Sequence, residues 1–346
     1  MLINIKYIEI YVANLVQSKF YYKKGFGFKE IYHNINKKSE TEQSLLKLGN
    51  ILLLLTSSKN SSSNINKEIN IHGDAVKDIA FEVDNIELLM NNVNNFGIQI
   101  LEQPKECLLF ESEKIIKATI GAFGDTRHTL IQKINKDTTY IEEMHDNNIS
   151  MSHIDHLAIA VDDFDCWRNY YKDIFGFYQS YKEKIETNFT GMDSIVMSLP
   201  NNEIKLVFVK PLKKKLTSQI DMFLKYNCSP GVQHVAFLTT NIINTLQILK
   251  NNGIELLDVP DSYYKNLSQN IKLNYKKVLN QLQNLNVLID EENENFLLQV
   301  FTKPTQTRPT LFYEIIQREG AKNFGKNNIT ALFKAMEQQQ KSNQEI

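Results

Sequence analysis

Cysteine is scarce in this chain: Cys107, Cys166 and Cys228 are widely spaced and never form a CxxC pair. An odd, scattered set offers neither a disulfide framework nor a zinc knuckle, so the thiols read as buried or incidental. An excess of charge is missing too. The 39 basic and 40 acidic residues leave a formal net charge of −1, and no basic block extends beyond Lys213 to Lys215. Nothing is left over to neutralise a row of phosphates, so nucleic acid is not an expected partner. Long apolar runs are absent, since none approaches the roughly 18 residues of a membrane span. The stretch Met1 to Ile10 carries charges among its apolar residues and has no small-residue cleavage site, so a cytoplasmic protein without membrane association is expected. What remains is 346 residues with 42% hydrophobic and 23% charged side chains, enough for one large or two medium globular domains.

The chain does contain a repeat. Ile5 to Val12, a helical stretch and Tyr21-Tyr-Lys-Lys-Gly-Phe-Gly-Phe28 match Ile154 to Val161, a helical stretch and Tyr170-Tyr-Lys-Asp-Ile-Phe-Gly-Phe177. Ala75 to Val83, with its helix and Asn95-Phe-Gly-Ile98, matches Gly231 to Thr239 with its helix and Asn252-Gly-Ile254. Each of the four copies opens on an alternating or β-branched strand and continues into an amphipathic helix. A Gly that can end the helix follows, and then further strands such as Ser194 to Ser198 and Ile204 to Val209. This predicts an α+β fold of four βαβββ modules, paired into two cupped sheets. The expected domains are residues 1–133 and 153–346, with the polar, acidic stretch 134–152 as linker.

Three residues stand out against the repeat: His156 in Ile154-Asp-His-Leu-Ala-Ile-Ala160, His234 in Gly231-Val-Gln-His-Val-Ala-Phe237, and Glu314 in Leu311-Phe-Tyr-Glu-Ile-Ile316. A lone strand histidine is more often a hydrogen-bonded core residue than a ligand. Together, two imidazoles and a carboxylate have the composition of the face that binds non-haem Fe(II) and leaves positions open. Aligning the halves puts Tyr7, Asp78 and Thr129 where these three stand, so the same fold does without the triad in its first half. His234 and Glu314 are farther apart than Asp78 and Thr129, and the excess, around residues 260 to 287, reads as inserted helix. The bland alternative for Glu314 is an Arg partner, with Arg318 or Arg308 as candidates. The remaining histidines, His33, His72, His128, His145 and His153, read as solvated or structural.

The C-terminal third is more specific. Phe296-Leu-Leu-Gln-Val-Phe301, Leu311 to Arg318 and Ala321-Lys-Asn-Phe-Gly-Lys326, with Asp258 to Tyr264 and Pro230 to Phe237, closely resemble the 4-hydroxyphenylpyruvate dioxygenase family of the vicinal oxygen chelate superfamily. The resemblance covers nearly the whole chain. It implies Fe(II), one per chain, at His156, His234 and Glu314, with O2 and an aryl 2-oxo acid as co-substrates. It also implies a substrate pocket using Gln219, Gln233, Gln299, Ser194, Phe301 and Phe324. Amides suit the orientation of a phenol or carboxylate, and aromatic faces suit an aryl ring in an apolar pocket.

Two departures bear on the product. Val207-Phe-Val-Lys210 stands where homogentisate-forming members typically carry Pro-(Ile or Leu)-Asn-Glu, and Asn327-Asn-Ile329 stands where they carry Gly-Asn-Phe. The pocket thus has Val209 and Ile329 where those members have an amide and an aromatic ring, as in the sister enzyme 4-hydroxymandelate synthase. Both reactions begin with oxidative decarboxylation of 4-hydroxyphenylpyruvate; ring attack then gives homogentisate, whereas benzylic hydroxylation gives 4-hydroxymandelate. Since a misplacement of about 1 Å changes rates by roughly 100-fold, two wall residues suffice to choose. The expected product is therefore 4-hydroxymandelate, with homogentisate as the alternative. Ile329, Leu332, Phe333 and Met336 form one apolar stripe beyond Gly325, which predicts a helix that lids the site. Two other readings stay open: a metal-free binding protein of the same fold, and an isomerase or lyase using zinc or nickel. The ligand-free first half is available as a homo-oligomer interface.

Overall fold

The computed structural model describes residues 2–135, 149–201, 204–270, 273–292, 294–331 and 333. Its central strands are buried on both faces, and their two-residue period divides side chains between two environments. In the strand Met151–Ala160, Leu157 and Ile159 enter one large core, whereas Ala158 and Ala160 face a separate cup.

The first sheet comprises β1 (Leu2–Tyr11), β2 (Lys29–Asn36), β3 (Thr41–Leu48), β4 (Ile51–Ser58), β5 (Ala75–Val83), β6 (Ile100–Leu109), β7 (Glu113–Gly121) and β8 (Arg127–Lys133), in the order β2-β3-β4-β1-β5-β8-β7-β6. The second comprises β9 (Met151–Ala160), β10 (Tyr178–Glu186), β11 (Gly191–Ser198), β12 (Lys205–Pro211), β13 (Gly231–Thr239), β14 (Leu288–Glu292), β15 (Asn295–Phe301) and β16 (Phe312–Glu319), in the equivalent order β10-β11-β12-β9-β13-β16-β15-β14. The four predicted modules are therefore present. Within each sheet the opening strands of two modules pair antiparallel at the centre, β1 with β5 and β9 with β13.

The repeat is local as well as global. Each module's first strand runs into a helix capped by an Asn or Asp side chain that accepts a backbone N–H: Asn14, Asn85, Asp163 and Asn241. Each helix is followed by a glycine at positive φ, Gly27, Gly97, Gly176 or Gly253, which turns the chain back toward the sheet. The excess length of the fourth module folds as the helices Asp261–Asn270, Leu273–Lys276 and Leu279–Asn284. Tyr263 and Tyr264 of this insertion pack with Leu288, Phe301 and Ile329 at the rim of the second cup.

One core joins the two halves. Phe26, from the first module, packs on Phe237 and Tyr313 of the second sheet, and Tyr22 shares a 2.6 Å hydrogen bond with the Tyr313 hydroxyl. The relation is reciprocal. Phe175 of the helix Phe164–Phe175 packs on Phe81, and Tyr171 of that helix meets His128 of the first sheet. His128 is fully buried between the Ile79 carbonyl and the Tyr171 hydroxyl, and His72 closes a helix between Asp125 and the Asn227 carbonyl, so both are structural. Among the described residues, no helix is long and apolar enough to cross a membrane.

Candidate metal centre and substrate pocket

Strand register brings the triad together. In the second sheet His234 pairs with Ala158 and Phe312, while Ala236 pairs with both His156 and Glu314. The two histidines and the glutamate therefore project from three adjacent central strands, β9, β13 and β16, into one cup. Their ligand atoms all lie within 4.8 Å of one another. Glu314 Oε2 is 3.3 Å from Nε2 of both His156 and His234.

The surroundings orient these groups. His156 Nδ1 lies 2.8 Å from Asp155 Oδ1, and Arg318 grips the same carboxylate with bonds of 2.7 and 2.8 Å. A donor on Nδ1 leaves the Nε2 lone pair aimed at the cup. Gln299 donates to Glu314 Oε1 at 3.1 Å, and Asn328 donates to the Gln299 oxygen at 2.9 Å. His234 is stacked on Phe312 at 5.0 Å and flanked by Phe301, while Phe324 meets His156 edge-on at 5.3 Å. Arg318, one of the two candidate partners for Glu314, instead holds Asp155; the other, Arg308, donates to the carbonyls of Asn70 and Ile71.

Electrostatics fit a cation better than a metal-free core. Burial raises a carboxyl pKa, but the facing imidazoles outweigh it and hold Glu314 at about 2. Burial also works against a charged His156, yet Glu314 and Asp155 raise its pKa above the ordinary value; at His234 burial wins and the pKa is lowered. His234 Nδ1 is buried without a hydrogen-bond partner among the described residues. A 2%-exposed carboxylate facing two imidazoles is costly to bury unless a positive charge is shared among them. Two nitrogens and an oxygen converging in this way are the donor set that suits a divalent transition metal.

The cavity in front of the triad has a volume of about 70 Å3. Ser194, Val209, Gln299, Phe301, Phe324 and Ile329, all singled out in the sequence, line it. Gln219 and Gln233 are not among its lining residues. Gln219 is exposed in the first turn of the helix Gln219–Asn227, next to the capping Ser218. Gln233 is buried beside His234, where the β9–β13 register shifts between Val232 and His234. Tyr181, Glu183 and Lys326 also line the pocket, and sequence reasoning did not find them. Only Asp155 had a visible signal, its place directly before His156. A described helical turn at residues 326–331 carries Ile329 over the cup, with Phe333 buried beyond it. Leu332 and Met336 of the predicted stripe lie outside the described residues.

The first cup shows what replaces the triad. Tyr7 and Thr129 both sit opposite Ala80 or beside it, and Asp78 pairs with Arg127, matching the ladder positions of the second sheet. Tyr7 packs with Leu45, Leu54, Ala80 and Ile131, filling the cup with apolar side chains. Asp78 is bound by Thr129 and by Arg127, whose guanidinium also meets Glu9 at 2.7 Å. A protein cation occupies the neighbourhood that the second half gives to the triad.

Paired cupped sheets of βαβββ modules, with a His-His-Glu cluster on the central strands of one, define a vicinal oxygen chelate protein. A profile described as the Glyoxalase/Bleomycin resistance protein/Dioxygenase superfamily matches residues 155–272. The 4-hydroxyphenylpyruvate dioxygenase of Yarrowia lipolytica is 32% identical, with 96% of this chain and 91% of that protein covered; the Danio rerio protein of the same name is 30% identical, with 98% and 91% covered. This chain belongs to the 4-hydroxyphenylpyruvate dioxygenase family. Among solved structures, a triply substituted 4-hydroxymandelate synthase from Streptomyces coelicolor superposes with a TM-score of 0.86 at 27% identity, covering 98% of this chain and 99% of that one.

Proposed function

We propose that this chain is an Fe(II)-dependent oxygenase that uses O2 to decarboxylate 4-hydroxyphenylpyruvate oxidatively, and that its product is homogentisate. The convergence of His156, His234 and Glu314 in a pocket walled by apolar and aromatic side chains carries the first part. The product assignment follows the sequence relatives, which bear the dioxygenase name. This departs from the product expected from Val209 and Ile329 alone.

Bound at the triad, Fe(II) would supply the redox chemistry for O2 cleavage and decarboxylation. The protein's own contribution is positional. Asp155 and Arg318 fix the His156 ring, and Gln299 fixes one oxygen of Glu314. Phe301, Phe324, Val209 and Ile329 form apolar walls for an aromatic ring. The turn at 326–331 closes the cup against water, anchored where Asn327 Nδ2 donates to Asp290 at 2.7 Å.

One observation favours a second reading, 4-hydroxymandelate synthesis: both aliphatic residues singled out in the sequence, Val209 and Ile329, do line the pocket. They would leave the ring freer to turn its benzylic carbon toward the reacting oxygen. The two products are isomers of equal mass. The deciding experiment is anaerobic reconstitution with Fe(II), addition of 4-hydroxyphenylpyruvate and O2, and chromatographic separation against both standards. Homogentisate supports the main reading, 4-hydroxymandelate the second; turnover that does not require O2 defeats both.

A further inference from the structure

Outside the triad, the described lining residues of the pocket include one acidic and one basic side chain, Glu183 and Lys326. They are joined to each other: Lys326 Nζ lies 2.7 Å from Glu183 Oε1. Tyr181 donates to Glu183 Oε2 at 2.6 Å, and the Lys184 backbone N–H donates to Oε1 at 3.2 Å. A carboxylate offers about four lone-pair sites. Three are occupied, and the remaining one belongs to Oε2 of a side chain that faces the pocket.

Glu183 stands directly opposite Ser194, Ser194 opposite Val209, and Val209 opposite Ala160, so these residues form one rung across β10, β11, β12 and β9. The rung of His234, Ala158 and Val207 lies two residues back along β9, about 7 Å away. Tyr181 stands on the His234 rung, through Val196 and Val207, and reaches across to Glu183; Phe324 lies between it and the triad, with ring centroids 5.3 Å from His156 and 6.3 Å from Tyr181. An aryl 2-oxo acid whose acid end is held at the triad would lay its ring along Phe324 and Val209 and bring its far end to Glu183.

We infer that Glu183 reads the para-hydroxyl of the aryl substrate, accepting its proton in a hydrogen bond, while Tyr181 and Lys326 hold the carboxylate in place. This rests on the substrate class proposed above. Burial works against the ionised form of Glu183, but Lys326 and Tyr181 outweigh it and its pKa is lowered, so the acceptor is charged at neutral pH. Hydrogen bonds to charged groups are the stronger kind, and removal of the donor from the ligand leaves only the desolvation of that carboxylate.

The test is equilibrium binding, by calorimetry, of 4-hydroxyphenylpyruvate and of phenylpyruvate to the Fe(II)-loaded full chain without O2. Wild type is expected to prefer the hydroxylated ligand by about tenfold or more. Glu183→Leu should erase the preference, and Glu183→Gln, which keeps the shape, should reduce it. Lys326→Met removes the clasp and keeps the carboxylate, so it should weaken both ligands alike and preserve most of the ratio. Equal binding of the two ligands by wild type overturns the inference alone, as does an unchanged ratio in folded Glu183→Leu. Binding of neither ligand by wild type defeats the proposed substrate class and the inference with it.

Discussion

Replacing Asp155 by Asn tests how the candidate metal centre is held. Asp155 is 4% exposed, accepts two hydrogen bonds from Arg318 and lies 2.8 Å from His156 Nδ1. The carboxylate has its pKa pushed far down, because Arg318 and His156 together overcome the cost of burial. Asparagine keeps one acceptor oxygen, which can still take the His156 proton. Its amide nitrogen, however, meets the Arg318 donors, leaving a buried guanidinium without its counter-charge. Breaking a buried pair by losing one partner costs about 3–5 kcal/mol. Against a total stability of about 5–15 kcal/mol the variant remains folded but closer to its limit. Paired with a neutral amide that Arg318 no longer holds, His156 becomes a poorer ligand, and altered groups of this kind typically lower metal affinity by about 10–100-fold. Urea unfolding measures the first quantity, and competition of the metal-loaded protein with a chelator of known affinity measures the second. A folded Asp155→Asn protein with wild-type metal affinity would refute the view that Asp155 orients a metal-ligating His156.

Three further outcomes are expected. Arg127→Leu strands two buried carboxylates, Glu9 and Asp78, so it should destabilise the protein by about 3–5 kcal/mol in urea unfolding while leaving metal affinity within twofold of wild type. Gly325 has φ of +74°, and a Cβ there would collide with the Gln299 amide oxygen; Gly325→Ala should lose at least about 1–2 kcal/mol and make the C-terminal turn more easily cut by protease. His128 is buried, which lowers its pKa from 6.5 to about 4, so the folded state holds it neutral. Its contribution is present above pH 6.5 and lost as pH falls toward 4, roughly 3 kcal/mol in all. The wild-type stability loss between pH 7 and pH 4.5 should therefore exceed that of His128→Phe; equal losses would remove this assignment.

The fold and the triad were legible because each rests on a short-range pattern repeated four times. A strand, an Asx cap, a helix and a turn glycine recur around Asn14, Asn85, Asp163 and Asn241, and the departures at His156, His234 and Glu314 stand out against them. The rest of the pocket depends on contacts that no local pattern encodes. Asp155 meets Arg318, and Glu183 meets Lys326, only after β9, β10 and β16 have curled together. Gln219 and Gln233 came from the family resemblance and from no local pattern: one lies in a capped first helical turn, and the other at a register shift beside His234.

Arg127 in the first cup has a consequence for how the two halves respond to metal supply. Its positive charge is part of the chain, so the carboxylates of Glu9 and Asp78 share a partner cation from the moment the strands close. The second cup must draw its balancing charge from solution. Metal depletion should then loosen the protein asymmetrically: amide exchange should quicken along β9, β13 and β16 and hold its pace along β1, β5 and β8. The first half would serve as a rigid cradle, inert to metal scarcity, against which the second can wait for its ion.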